Sequence, residues 1–330
     1  VTPDSPHSIA VPKNYFEAIK HDKRAEWQKA MDEEIKAHIK NGTYELVPLA
    51  TVPAGRKPIG STWTYAIKRD SEGKVTRYKA RMCAQGFSQQ EGFDYYATFA
   101  NTVRFDTIRM ALAYAAEMGY ELHTIDIRTA YLNAKIEEDI EIWMRQPRGY
   151  EQTGPNGEEM CCKMIKALYG LKQGGRRWEA TLRNKLVELG FECSSADPGM
   201  FQQTHDSKRL ILLVYVDDIS MIGNCGQLRA KFIADIHRLW ETTEVSELEW
   251  CLGIKIHYNK EKKFITLDQK LYISDTIKRF FEDGVQCTPK RNNSPCSEEI
   301  RKLVKGAPDS TETPQVIDTY RSLIGALLWI

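Results

Sequence analysis

Apolar residues recur along this chain in short stretches whose spacing switches between about 3.6 and 2, so helices and strands should alternate irregularly. From Tyr15 to Ile39 the stripe Ile19, Trp27, Met31, Ile35 and Ile39 falls at helical spacing, and Asn41-Gly42 supplies a stop. Thr43 to Gln85 reads as strands. Trp63, Tyr65 and Ile67 alternate there, and Asp70-Ser71-Glu72-Gly73 reads as the turn of a hairpin returning through Val75 to Met82. A helix is expected from an Asp106 N-cap to Met118, closed by Gly119, followed by a short strand from Leu122 to Ile127. Glu137, Glu138, Asp139 and Glu141 suit a solvated turn beside a strand from Ile140 to Met144, with a Pro/Gly-rich loop after it.

Trp178, Leu182, Leu186 and Leu189 set a helix from Arg176 to Leu189, ended by Gly190. Leu210 to Val216 and Ile219 to Ile222 form a hairpin around two aspartates, and Gln227 to Trp240 is helical. A second hairpin (Glu249 to Tyr258, Lys263 to Leu267) and a helix near Lys270 to Phe281 follow, and residues 288–318 read as a polar linker. Hairpins interspersed with helices predict an α+β fold with an antiparallel sheet rather than a doubly wound one.

Composition narrows the function classes. With 330 residues, 42% hydrophobic and 28% charged, the chain has room for two or three lobes and is neither disordered nor fibrous. A formal net charge of +1 projects no field over the whole molecule, so a nucleic-acid partner needs local basic charge. Residues 56–81 hold eight basic side chains against two acidic, and residues 163–185 hold seven against one, although ordinary solvated surfaces carry such runs too. Eight cysteines without a CxxC pair indicate reduced core thiols rather than a disulfide scaffold or zinc site. No apolar run reaches the ~18 residues of a membrane span, and no signal-peptide pattern is present, so no membrane partner is expected. The chain lacks an initiating Met and stops inside the apolar run Leu323 to Ile330, which reads as a segment of something longer.

Asp217 and Asp218 sit between apolar runs. Two adjacent ionised acids are costly there unless a cation, a donor or water compensates them. A turn reaching water and a metal site are both open on these residues alone. Asp126, in His123-Thr-Ile-Asp126, is a second isolated carboxylate at a strand end. Three acids from neighbouring strand ends could hold two Mg2+ ions, with Mn2+ as a substitute, because hard oxygen donors and open positions suit these ions.

Tyr215-Val216-Asp217-Asp218 resembles the catalytic box of reverse transcriptases. The wider string resembles the copia-type (Pseudoviridae) branch of LTR retrotransposon Gag-Pol polyproteins. Its landmarks include Trp27, Tyr78-Lys-Ala-Arg81, Gln85-Gly-Phe87, Gly92-Phe-Asp-Tyr95, Asp126 to Asn133, Leu168-Tyr-Gly-Leu-Lys-Gln173, Trp178, Asp197, the Asp-Asp box, Leu252-Gly253 and Tyr320-Arg321, in order along the chain.

The resemblance implies a right-hand polymerase. Residues 1–14 would be a leader, 15–287 the fingers, palm, primer-grip hairpin and start of the thumb, and 288–330 a linker with a truncated thumb or connection. Asp126, Asp217 and Asp218 would be the catalytic and metal-binding acids, with the Ile127 carbonyl a further metal ligand. Lys79 and Arg81 would lie over the dNTP triphosphate, Tyr131 beneath its sugar as a steric gate against ribose, and Gln173 near that sugar. Leu252 and Gly253, in Cys251-Leu-Gly-Ile254, would grip the primer end. The implied reaction is RNA-directed DNA synthesis, with an RNA template, a DNA primer, their RNA–DNA hybrid and dNTPs as partners. The protease, integrase and ribonuclease H expected of such a polyprotein have no counterpart in this string. By analogy the activity would reside in cytoplasmic virus-like particles.

Several positions depart from the family pattern. Gly174-Gly175 stands where Ala-Pro is usual, which should loosen the turn carrying Gln173. Asn101-Thr102 replaces Pro-Val, Ala134 replaces Gly, and Cys83 and Gln85 replace Val and Lys. Two other readings stand beside the polymerase: an inactive palm-fold relic that only binds nucleic acid, and a two-metal nuclease.

Overall fold

The computed structural model describes residues 9–69, 74–280 and 314–329. The expected turn Asp70–Gly73, most of the expected linker, and Cys287 and Cys296 lie outside the described residues. Backbone packing divides the chain into a unit Val1–Glu247 and a unit Leu248–Ile330.

In the first unit, the stripe expected to form one helix makes two: α1 (Tyr15–Lys20) and α2 (Arg24–Asn41). His21 takes an extended backbone and accepts the Lys23 amide on Nδ1, so the chain breaks between them. Gly42 then closes α2 in the left-handed conformation, at φ 56°. Strand β1 (Tyr44–Pro48) follows, then the hairpin β2 (Ser61–Arg69) and β3 (Val75–Ala84). Trp27 and Met31 of α2 are fully buried. Met31 packs with Trp63, Ala80 and Met82 of the hairpin, and Trp27 rests edge-on against Tyr65 and Tyr78.

Helix α3 (Phe105–Met118) starts one residue before the expected N-cap. Asp106 lies inside its first turn, and the preceding backbone is anchored from a distance: the buried Asp197 carboxylate accepts the Arg104 amide and the Thr107 hydroxyl. Next come β4 (Glu121–Asp126), β5 (Trp143–Met144), β6 (Met160–Met164), α4 (Gly174–Glu188), β7 (Glu192–Cys193), β8 (Met200–His205), β9 (Lys208–Tyr215), β10 (Asp218–Gly223), α5 (Gly226–Leu239) and β11 (Ser246–Glu247). The strand expected from Ile140 shrinks to β5, although Ile140 and Ile142 remain buried.

One sheet runs β11-β4-β10-β9-β8-β7 and another β1-β6-β5, and the paired strands are antiparallel. The larger sheet is the scaffold of the candidate site. Leu210, Leu212 and Val214 of β9 and Ile219 and Met221 of β10 pack with Trp178, Leu182 and Leu186 of α4 and Phe232 and Ile236 of α5. Leu210 to Val214 are all buried, so β9 is covered on both faces and reads as a continuous apolar run. That burial holds the strand ends firmly, which matters because the acidic residues lie there.

The second unit holds the sheet β12 (Trp250–Cys251), β13 (Ile254–Asn259) and β14 (Phe264–Asp268), then α6 (Lys270–Phe280) and α7 (Pro314–Leu327). Helix α7 begins at Pro314, so the last residues of the expected linker are helical. No described helix is long and apolar enough to cross a membrane.

Candidate active site

The register of β4 against β10 places Asp126 directly opposite Asp218, and β9 and β10 place Asp218 opposite Tyr215 across a loop of Val216 and Asp217. The Ile127 amide donates to the Asp217 carbonyl at 2.9 Å, tying the end of β4 to that loop. Like charges opposed across an antiparallel pair repel. Burial, the Asp217 carboxylate and Asp126 together push the Asp218 carboxyl up to about 6, and a hydrogen bond joins the Asp218 and Asp126 carboxyls. Burial and Asp217 also raise Asp126, while Lys79, Arg128 and Arg81 pull it back. Asp126 and Asp217 are half-buried and Asp218 is more open.

The opposing charge comes from the β2–β3 hairpin. Side chains two apart on a strand share a face, and the register sets Lys68 opposite Arg77, Ala66 opposite Lys79 and Thr64 opposite Arg81. Ala80, Met82 and Ala84 point into the core, which leaves Lys79 and Arg81 on the other face. Burial and the neighbouring charges of Arg81, Lys68 and Arg77 lower the Lys79 ammonium. Both walls therefore hold like charges in excess, acidic on one side and basic on the other.

Tyr131 lies on a single 3-10 turn, Ala130–Asn133, that begins after Thr129 at φ 50°. Its ring meets Tyr169 edge-on at 4.6 Å, and the Arg81 guanidinium lies 4.4 Å over the Tyr169 ring. Burial, then the Asp217 charge, raises the Tyr131 phenol. Tyr169 is thus the link between the basic hairpin and Tyr131. In the sequence Tyr169 is one residue of the string Leu168-Tyr-Gly-Leu-Lys-Gln173 and Lys68 one charge in a basic run, and neither shows a role locally. The signal for Lys68 was its strand alternation with Arg77 and Lys79 across the hairpin.

Gln173, expected near the sugar, is held within the protein just before the glycines that lie against Tyr131. It is 1% exposed, its Nε2 donates to the Asp94 carbonyl at 2.6 Å, and its Oε1 accepts from Gln89 Nε2 at 3.0 Å. Its amide is used inside the protein, where it ties the loop before α3 to the start of α4. The Gly174-Gly175 pair opens α4 in helical backbone. Gly174 N bonds the Leu171 carbonyl at 3.1 Å, and a Cβ at Gly175 would sit 3.4 Å from Ala100 and 3.8 Å from the Tyr131 hydroxyl.

Leu252 and Gly253 form the turn between β12 and β13, both with positive φ (49° and 78°). This is the pattern that favours Gly at the second central position of a tight hairpin. A Cβ at Gly253 would meet nothing within 4 Å, so the turn alone accounts for the glycine.

The donor set suits a hard divalent cation: oxygen ligands only, crowded until burial and mutual repulsion oppose ionisation of Asp126 and Asp218. In their present side-chain positions, no three acidic, imidazole or thiol groups among the described residues stand ready to hold one ion.

Residues 41–290 match the family described as Reverse transcriptase (RNA-dependent DNA polymerase). The chain is 32% identical over 321 residues to the Retrovirus-related Pol polyprotein from transposon TNT 1-94 of Nicotiana tabacum, covering 96% of this chain and 23% of that protein. It is 30% identical over 338 residues to the corresponding polyprotein from transposon RE1 of Arabidopsis thaliana, covering 100% of this chain and 22% of that one. The chain thus spans less than a quarter of the length of these curated relatives. A foamy viral protease-reverse transcriptase solved in complex with double-stranded DNA aligns at 15% identity and a TM-score of 0.39, over 76% of this chain and 36% of that one, too low a likeness to fix a fold. On the family match and the relatives' identity, the chain belongs to the reverse transcriptase (RNA-dependent DNA polymerase) family, in its copia-type retrotransposon branch.

Proposed function

We propose that this segment is the polymerase core of a copia-type Pol polyprotein and extends a DNA primer on an RNA template from dNTPs. The observation that carries the reading is the pairing of Asp126 with Asp218 beside Asp217, opposite a hairpin face bearing Lys68, Lys79 and Arg81. A metal–triphosphate complex is cationic at one end and anionic at the other. It relieves repulsion on both walls at once, which neither a bare cation nor a bare phosphate does.

In this reading the β2–β3 hairpin belongs to the fingers, the six-stranded sheet to the palm, and the second unit supplies the primer-grip hairpin at Leu252-Gly253 and the start of the thumb. Asp126, Asp217, Asp218 and the Ile127 carbonyl would hold Mg2+ or Mn2+. Such ions supply a lowered pKa for the primer 3′-hydroxyl and charge neutralisation on the leaving pyrophosphate. Lys79 and Arg81 bind the triphosphate oxygens, Arg81 steadied on the Tyr169 ring. Tyr131, braced by Tyr169 on one side and by the closely packed start of α4 on the other, excludes a ribose 2′-hydroxyl by bulk. Gln173 ties the loop before α3 to the start of α4, beside Tyr131. RNA, DNA and their hybrid are the macromolecular partners of this proposal, and the rest of the polyprotein the source of any protease, integrase or ribonuclease H.

Primer extension on an RNA template with Mg2+ and dNTPs tests the reading. Extension that disappears in Asp217→Asn supports it, because the three acids act as a unit and losing one removes nearly all turnover. Binding of primer–template without extension would favour the relic, and template degradation alone the nuclease.

A further inference from the structure

Val216 is the most unusual residue beside the acids. It occupies the first central position of the Val216-Asp217 loop with φ 58°. In a two-residue hairpin with positive φ at that position, glycine is the ordinary occupant. A β-branched residue there is a true outlier, and it persists only where the surroundings over-determine the backbone. Those surroundings are identifiable. The Trp178 indole Nε1 donates to the Val216 carbonyl at 2.7 Å. Trp178 is 1% exposed, packs in one core with Leu182, Phe201 and Val214, and stacks edge-on against Trp240 at 5.1 Å. One residue on, the Asp217 carbonyl is held by the Ile127 amide at 2.9 Å. The peptide groups on either side of the Asp217 side chain are therefore each held by a separate element, one by α4 and one by the residue just past β4.

We infer that Trp178 is a positioning residue: its indole N–H holds the strained Val216 backbone in the conformation that presents Asp217 and Asp218. This rests on the polymerase reading and deepens it. A large buried indole would serve packing through its ring alone. The N–H aimed at the carbonyl of a left-handed valine serves the turn.

The test uses Trp178→Phe, which keeps a ring and removes the donor, in the 330-residue chain. Losing one buried hydrogen bond of this kind corresponds to about a tenfold effect. The expected results are kcat down about tenfold with the dNTP KM and primer–template Kd nearly unchanged, and hydrogen exchange of the Ile127 amide up by a similar factor. Val216→Gly removes the strain, because glycine takes positive φ freely. W178F should therefore cost kcat much less when V216G is already present.

If W178F folds poorly, benzothienylalanine at 178 puts sulfur in place of the N–H with almost the same shape. Unchanged kcat and amide exchange, or an equal W178F penalty with and without V216G, would overturn the inference. If the unsubstituted chain extends no primer, the polymerase reading fails, while the exchange at Ile127 still decides the role of Trp178.

Discussion

Replacing Asp218 by Asn should make the metal-free protein more stable while removing its activity. The Asp218 carboxyl is raised from 3.8 to about 6 by burial, Asp217 and Asp126. A carboxyl whose folded value lies above its unfolded one favours the folded state when protonated. Its contribution is fully present below about pH 4 and is lost as pH rises through about 6. At neutral pH the wild-type site therefore carries a penalty that Asn lacks. At 1.36 kcal/mol per unit, a shift of about two units sets a ceiling of about 3 kcal/mol. Solvent screening of this open side chain reduces that to roughly 1 kcal/mol. For a unit of this size, 1 kcal/mol corresponds to about 2 °C in Tm. Thermal unfolding in a chelator should thus show D218N melting about 2 °C higher at pH 7.5, with the gap closing by pH 4 and Mg2+ stabilising only the wild type. A D218N protein that is less stable at pH 7.5, or a gap that widens on acidification, would refute the repulsion on which the site rests.

Further outcomes follow from the same geometry. Tyr131→Val should admit ribonucleotides, seen as a fall in the dNTP/rNTP ratio of kcat/KM with dNTP incorporation largely retained; unchanged discrimination would remove the gate role. Arg81→Gln should raise the dNTP KM by roughly ten- to a hundredfold, since one charge-assisted phosphate contact contributes roughly 1.5–3 kcal/mol, with kcat less affected. Gly175→Ala should stabilise the protein by about 0.5–1 kcal/mol, because its Cβ meets only ordinary contacts at 3.4 Å and beyond in a helical first turn. Gly174→Ala, whose Cβ would come within 3.1 Å of the Leu168 carbonyl, should gain less by the same Tm measurement.

What the sequence made legible follows from how local each signal is. The β9–β10 hairpin, α4 and the β2–β3 hairpin declare themselves through apolar period, and with β9 and β10 comes the position of the two aspartates. Strand β8 does not, because Met200-Phe-Gln-Gln-Thr-His205 has no apolar alternation and is a strand through its pairing with β9. The break between α1 and α2 was hidden because the apolar stripe continues across it. The start of α3 is set by Asp197, about ninety residues away, which no local capping rule can see. The partners of Gln173 were not legible either, because residues 89 and 94, about eighty positions earlier in the chain, supply them. Tyr169 and Trp178 acquire roles only once α4 and the turn before it are folded against the Asp217 loop.

The central claim is that Asp126 works together with Asp217 and Asp218 on common divalent ions. Counting Mn2+ bound per chain by electron paramagnetic resonance, with primer–template and a non-hydrolysable dNTP present, tests it most directly. The account predicts two ions in the wild type and a severe loss in Asp126→Asn and Asp217→Asn alike. Wild-type Mn2+ binding that survives Asp126→Asn unchanged would contradict it.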